Sequence, residues 1–356
     1  MKQTNSVSSL RKWNLRQVMA QDSGLSRLLI IFVVVFVTFS VLNPGIFLSK
    51  DYIVSMLYLF PEFGILALGM MLCMISGGID LAVVSTANFS GIVCCMILSK
   101  LLTESSSMGY SALILIGSVA VSVAVGALCG LLNGFLIAKL GIPPILATLG
   151  GYDLVMGLAL AFTKGSSISD LPPILSAVGT YYIFGCIPVT LVVFILCAIF
   201  VAWQLEKTSF GYKLYMLGSN PKASKYSGVD NDKILLKAYM LSGILAALAG
   251  ILMCARFNSA RAEVGTSYTM QAILICVLGG INPNGGFGTV RGVVASVLIL
   301  QVLSSGFNMF PFLSNFYRDL IWGAVLILVM AYNYISNQRK EKRERESLSK
   351  AASAKP

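Results

Sequence analysis

The 356 residues contain no histidine, and only 12% of them are charged. The eight cysteines form no C-x-x-C pair. Zinc and haem sites use imidazole or closely spaced thiolates, so neither is expected. No Gly-Lys-Ser or Gly-Lys-Thr occurs. Without that part of a phosphate-cradling loop the chain is not expected to hydrolyse ATP. Paired carboxylates and a nucleophile elbow are also missing, which argues against an enzyme in its own right.

The shortage of charge is the larger signal. Soluble domains carry roughly a quarter charged residues. Here 56% of residues are hydrophobic and the mean hydropathy is +0.82. The apolar residues fall in blocks near the ~20 residues that a membrane-spanning helix needs, since lipid offers backbone N–H and C=O groups no partner. The expectation is an all-α, polytopic integral membrane protein with about ten transmembrane helices. They are placed at 25–43, 52–75, 82–100, 111–138, 144–163, 185–204, 235–256, 268–281, 289–310 and 317–335. No A-x-A site follows the first apolar run, so it reads as an uncleaved span.

The net charge of +11 is distributed as a topology signal, not as a nucleic-acid footprint. Basic residues gather at the N-terminus (Lys2, Arg11, Lys12, Arg16, Arg27), between Lys207 and Lys237, and at the C-terminus (Arg339, Lys340, Lys342, Arg343, Arg345). Cytoplasmic segments carry this excess, and anionic lipid contact accompanies it. An even number of spans puts both termini on that side, with Lys139 and the 205–234 loop. The stretches Thr103–Tyr110, Gly165–Tyr182 and Asn258–Ser267 fall outside. The domains are then a cytoplasmic segment at 1–24, a membrane domain at 25–335 and a basic cytoplasmic tail at 336–356.

Several spans end in glycine or proline, at Gly77-Gly78, Pro143-Pro144, Gly150-Gly151, Gly279-Gly280 and Gly285-Gly286. Broken or re-entrant helices persist at membrane depth only inside protein or beside water, which favours a pathway over a plain anchor. GGIDLAVVSTANFSGIVCCMIL from Gly77 echoes GGINPNGGFGTVRGVVASVLIL from Gly279. This is a duplication or one solution used twice. Gly126, Gly130 and Gly134 share a helix face and permit close packing.

The segment GYKLYMLGSNPKASKYSGVDNDK, Gly211–Lys233, interrupts the apolar pattern. Asn220-Pro221 reads as an N-cap and first helical residue, and Gly228 as the left-handed stop. Asp230 and Asp232 suit the start of the next helix. A short capped helix between two spans is expected, resting on lipid or docking a cytoplasmic subunit.

Gly211, Tyr215, Gly218, Asn220, Ala223, Ser227 and Gly228 resemble the coupling segment of permease subunits in ribose-type ABC importers. Ser224 departs from the family's second alanine and Val229 from its isoleucine. Gly77-Gly78-Ile79-Asp80-Leu81 resembles the family's G-G-I-D-L, with Ala82 and Val84 departing. Asn133-Gly134, Pro144 and Ala147–Gly150 resemble N-G and P-F-I-A-T-L-G. Leu278-Gly279-Gly280 with Gly285-Gly286, Gly288 and Gly292 resembles L-G-G…G-G-x-G-x-x-x-G. The family's Y-E-L-D-A reads Tyr268-Thr269-Met270-Gln271-Ala272 here, without either carboxylate, and an expected Asn near Ser305 is absent.

The resemblance implies a permease subunit in a bacterial inner membrane that translocates a small carbohydrate. The solute would be a ribose-like pentose, hexose or related polyol, a furanose-like signal or a cyclitol. Its implied partners are an ATP-binding cassette ATPase subunit, an extracytoplasmic sugar-binding protein and a second permease copy or paralogue. ATP-Mg would sit on the ATPase subunit, with no cofactor in this chain. An ion-gradient-driven secondary transporter is the alternative, and it calls for charged relays deep in the spans.

Candidate pathway or gating residues are Asp80, Asn88, Asn133 and Phe307. Asp80 follows a helix break, where capping and solute contact both fit. Asn88 and Asn133 need partners, which interhelical bonds would also supply. Glu62 reads as an interfacial charge at a helix start. Phe307, Phe310 and Phe312 could stack on a sugar or pack.

Overall fold

The computed structural model describes residues 23–102, 107–310, 320–328 and 330–331, and these form an all-α bundle. α1 (Ser23–Leu42) leads through α2 (Pro44–Phe47) to α3 (Lys50–Leu59) and α4 (Pro61–Ile75). After a break come α5 (Val83–Leu101), α6 (Met108–Ala138), α7 (Pro144–Thr163) and α8 (Pro173–Thr180). α9 (Val189–Lys207), α10 (Ser209–Ser219), α11 (Pro221–Tyr226), α12 (Asn231–Phe257), α13 (Tyr268–Leu278) and α14 (Val290–Asn308) complete it. Two antiparallel strand pairs are two residues long: β1 (Ile168–Ser169) with β4 (Ser259–Ala260), and β2 (Tyr182–Ile183) with β3 (Ile187–Pro188).

Eight stretches among the described residues are helical, long and apolar enough to cross a membrane. They are α1, the α3–α4 pair, α5, α6, α7, α9, α12 and α14, so the chain is a multi-pass membrane protein. The span expected at 268–281 differs. α13 is only 11 residues long, and the chain before it is extended from Ser259 and turned to Ser267. The span expected at 317–335 lies partly outside the described residues. The segment 1–22, the loop 103–106, Phe312 and the tail 336–356 lie wholly outside them.

α4 and α12 form the centre. Every residue of α4 is buried, which fits its all-round apolar sequence. α12 packs on α4, α5 and α6. Its small residues Gly243, Ala246, Ala247, Ala249 and Gly250, all buried, let neighbours approach backbone to backbone. The expected glycine face of α6 meets it: a Cβ at Gly130 would fall on the Tyr239 carbonyl, and one at Gly126 on the Gly243 carbonyl. α1 instead exposes Ile30, Val33, Val34 and Val41, as a lipid-facing helix does.

The two echoing breaks close in the same way. Gly78 N–H donates to Cys73 O and Ile281 N–H to Cys276 O, at 3.0 and 2.9 Å, around Gly77 and Gly280 with φ of +88° and +82°. Each is a left-handed cap that satisfies free carbonyls at a helix end. A side-chain turn follows each: Ala82 N–H donates to Asp80 Oδ1 and Asn284 N–H to Asn282 Oδ1. The same device therefore occurs twice, the second time with a longer loop before the next helix.

All eight cysteines are free thiols and six are buried, in packing positions.

Gly130→Leu is expected to cost about 1–3 kcal/mol by overpacking the α6–α12 contact. Gly117→Leu on the same helix faces open space and serves as the control. The midpoint of thermal unfolding in detergent should fall for the first variant only.

Candidate coupling knob and translocation site

The α11 region is a small, fully capped knob. Asn220 Oδ1 accepts from Lys222 N–H and Ala223 N–H at 3.1 and 3.0 Å. Pro221 follows, with no N–H to leave unpaired. At the other end Gly228, with φ +80°, allows Gly228 N–H to reach Lys225 O and Val229 N–H to reach Ser224 O. Ser227 N–H donates to Ala223 O. Asp230 then caps α12 by accepting from Lys233 N–H at 3.2 Å.

The departure at Ser224 has a structural use. Ser224 is buried, its hydroxyl donates to Asn231 Oδ1 at 2.9 Å, and Asn231 Nδ2 donates to Pro221 O at 2.9 Å. The knob is thereby bolted to the first turn of α12. Asp232 pairs with Lys139 at the end of α6, at 2.8 Å, and this bond raises the Lys139 pKa. The lysine therefore stays protonated across the physiological range. What the knob offers outward is Lys222, Lys225 and Tyr226, the last 93% exposed.

Gly211, Tyr215 and Gly218 face the opposite way, into the bundle. A Cβ at Gly211 would fall on Leu205 O, at the bend between α9 and α10. Tyr215 donates to Gly288 O at 2.7 Å, and burial pushes its hydroxyl up to about 12. Gly218 touches both breaks: a Cβ there would fall on Ile75 O and crowd Gly286 N. Gly286 N–H donates to Ile75 O at 2.9 Å. The base of the knob, the end of α4 and the loop after α13 thus meet through bare backbone.

The four pathway candidates do not converge on one cavity. Asp80 is buried and accepts from Ser242 Oγ at 2.7 Å, tying the first break to α12. Asn133 is buried, and its Oδ1, without a partner among the described residues, lies against Gly151 of α7. Phe307 packs edge-on against Phe39, with centroids 5.8 Å apart, in an aromatic cluster with Phe47 and Met56. Phe310 joins the rim of that cluster. Ser305, where the family Asn was expected, is buried and accepts from Gln301 Nε2.

Asn88 has a different task. Its Nδ2 donates to Ala262 O and Val264 O at 2.7 and 2.9 Å. Ala87 and Gly91 of α5 lie against Gly250 and Cys254 of α12. Asn88 therefore lies about 9 Å short of the C-terminal end of α12 by helical rise. After β4 the chain turns back to that level before α13 begins.

Glu62 stands in the first turn of α4, as expected, but it is not a surface charge. Its side chain is fully buried and accepts from Arg256 Nε and Nη2 at 2.5 and 2.9 Å. Arg256 Nη2 also donates to Tyr268 Oη at 3.2 Å. The pair joins α4, α12 and α13 across 194 positions of sequence. The only signal for it in the sequence is two opposite charges bordering apolar spans.

Residues 52–330 match the family model described as branched-chain amino acid transport system / permease component. The autoinducer 2 import system permease protein LsrC of Escherichia coli is 35% identical over 295 residues, covering 82% of each chain. The ribose import permease protein RbsC of Haemophilus influenzae is 31% identical over 331 residues, covering 91% of this chain and 96% of its own. The autoinducer 2 permease LsrD of Yersinia pseudotuberculosis is 31% identical over 304 residues, covering 84% and 85%. No solved structure matches.

Removing one partner of the buried ion pair, by Glu62→Gln or Arg256→Met, is expected to destabilise the protein by about 3–5 kcal/mol. The double variant should recover most of that loss. Thermal unfolding of all three proteins in one detergent provides the comparison.

Proposed function

The chain belongs to the branched-chain amino acid transport system / permease component family, and on that premise we propose that it is the membrane subunit of an ATP-driven importer of a small carbohydrate. The observation that carries this reading is the knob: a capped helix with an exposed basic and aromatic face whose base is keyed into both helix breaks. The relatives named for ribose and autoinducer 2 import favour a pentose or a related small polyol over an amino acid.

In this reading the α11 end faces the cytoplasm and the membrane is a bacterial inner membrane. The basic Lys207–Lys237 stretch supports the orientation. Two copies of this chain, or one with a paralogue, pair with ATPase subunits that hold ATP-Mg, and an extracytoplasmic binding protein delivers the solute. Ala223, Lys222, Lys225 and Tyr226 seat the knob in a cleft of the ATPase. Asn220 and Gly228 hold its shape, and Ser227 lies in its last turn. ATP shifts the conformational population only by binding one state more tightly than the other. Closure of the ATPase moves α11, and rigid contacts carry the displacement onward. Ser224–Asn231 passes it to α12, Gly218 to the end of α4, and Tyr215–Gly288 to the loop between α13 and α14. An ion-gradient mechanism calls for free acids deep in the spans. The acids buried there among the described residues are engaged: Glu62 by Arg256, and Asp80 by Ser242 and Ala82.

Gly228→Val tests the coupling. The site is open, with no atom within 4 Å of the position a Cβ would take, so the effect comes from the positive φ that β-branched residues resist. In the reconstituted complex, ATP hydrolysis should persist while uptake falls at least about tenfold. Normal uptake by a well-expressed variant would refute the coupling role.

A further inference from the structure

On the end opposite the knob, the chain between α12 and α13 is non-helical where it reaches back to Asn88 inside the bundle. Backbone at that depth is tolerated only when protein or water satisfies it. One side is satisfied by protein: Asn88 holds the carbonyls of Ala262 and Val264, and β4 pairs with β1. The other side borders a cavity of about 350 Å³ lined by Thr163, Ser166, Ser167, Arg261 and Glu263. Small-molecule sites start at roughly 300 Å³, so the space suits one sugar ring.

The lining has a specific chemistry. Arg261 and Glu263 have no ion-pair partner among the described residues. Arg261 presents only donors and Glu263 only acceptors. The hydroxyls of Thr163 and Ser166 already donate to Ala159 O and Thr163 O, so their oxygens are left to accept. A hydroxyl both donates and accepts, and a row of hydroxyls matches such a mixed lining. A singly charged solute would meet a like charge as well as an opposite one at Arg261 and Glu263, so the lining gives no preference for an ion of either sign. The walls come from the end of α7 and from an interrupted span, the kind of element on which transporters build their sites.

We infer that this cavity is the receiving site for the solute: it takes a neutral, polyhydroxylated molecule of about one ring, contacted by Arg261 and Glu263. The inference rests on the import reading above and adds to it the place where the solute is received and the residues that meet it.

The test uses the whole transporter, with its ATPase and binding protein, in proteoliposomes. The probes are radiolabelled pentoses, hexoses and cyclitols, and the variants are Arg261→Gln and Glu263→Gln. Both side chains are exposed, so folding should be retained, as checked by gel filtration. At saturating binding protein, uptake should fall at least about fivefold in each variant. ATP turnover stimulated by the loaded binding protein, and the binding-protein concentration at half-saturation, should stay at wild-type values. Unchanged uptake in both variants would overturn the site while leaving the import reading intact. A raised half-saturation with full uptake at saturation would also overturn it, making the surface a protein-docking face. If the wild-type transporter accepts none of the probes, the carbohydrate reading fails and the site fails with it.

Discussion

Three stretches of backbone meet at Gly218, with no side chain between them. Gly286 N–H caps the Ile75 carbonyl, and Gly218 fits over both because it has no Cβ. Each of the two helix breaks leaves polar backbone groups that lipid cannot satisfy. The bundle answers by packing the breaks against each other and against the root of the knob. The position of α11 is therefore fixed by the same contact that closes α4 and orders the loop after α13. A separate, flexible linker would have left the knob free to move without effect on the spans.

The α4–α12 core explains why that contact is rigid. α4 is enclosed on all sides, and α12 meets three neighbours across small residues. Close-packed helices of this kind have few voids to absorb a displacement. Asp80 sits where the first break meets α12, and its bond to Ser242 makes the break part of the core. The end opposite the knob is built differently: a turn segment pinned by Asn88 precedes the short α13.

What could be read in the sequence was local. Asn220-Pro221 and Gly228 define the knob because caps depend on residues two to five positions apart. The Gly126–Gly130–Gly134 face is periodic, and so it was legible too. Long-range partners were not. Asn88 binds carbonyls 174 and 176 positions away, and Glu62 binds an arginine 194 positions away; no spacing rule connects them. Gly211, Tyr215 and Gly218 were read together with the knob but face inward, a distinction that depends on tertiary packing. Ser224 looked like a departure from the family pattern because its partner, Asn231, lies on the next helix. The short α13 was hidden because an apolar run at 268–281 looks alike whether it is preceded by helix or by extended chain.

The Glu62–Arg256 pair has an electrical consequence. Each charge alone, carried across the full membrane field, would exchange about 2.3 kcal/mol with every 100 mV of potential. Bound together at 2.5 and 2.9 Å, they form a neutral dipole that the field barely moves. The pair itself therefore adds almost nothing to the charge that any joint movement of α4 and α12 would carry through the membrane field.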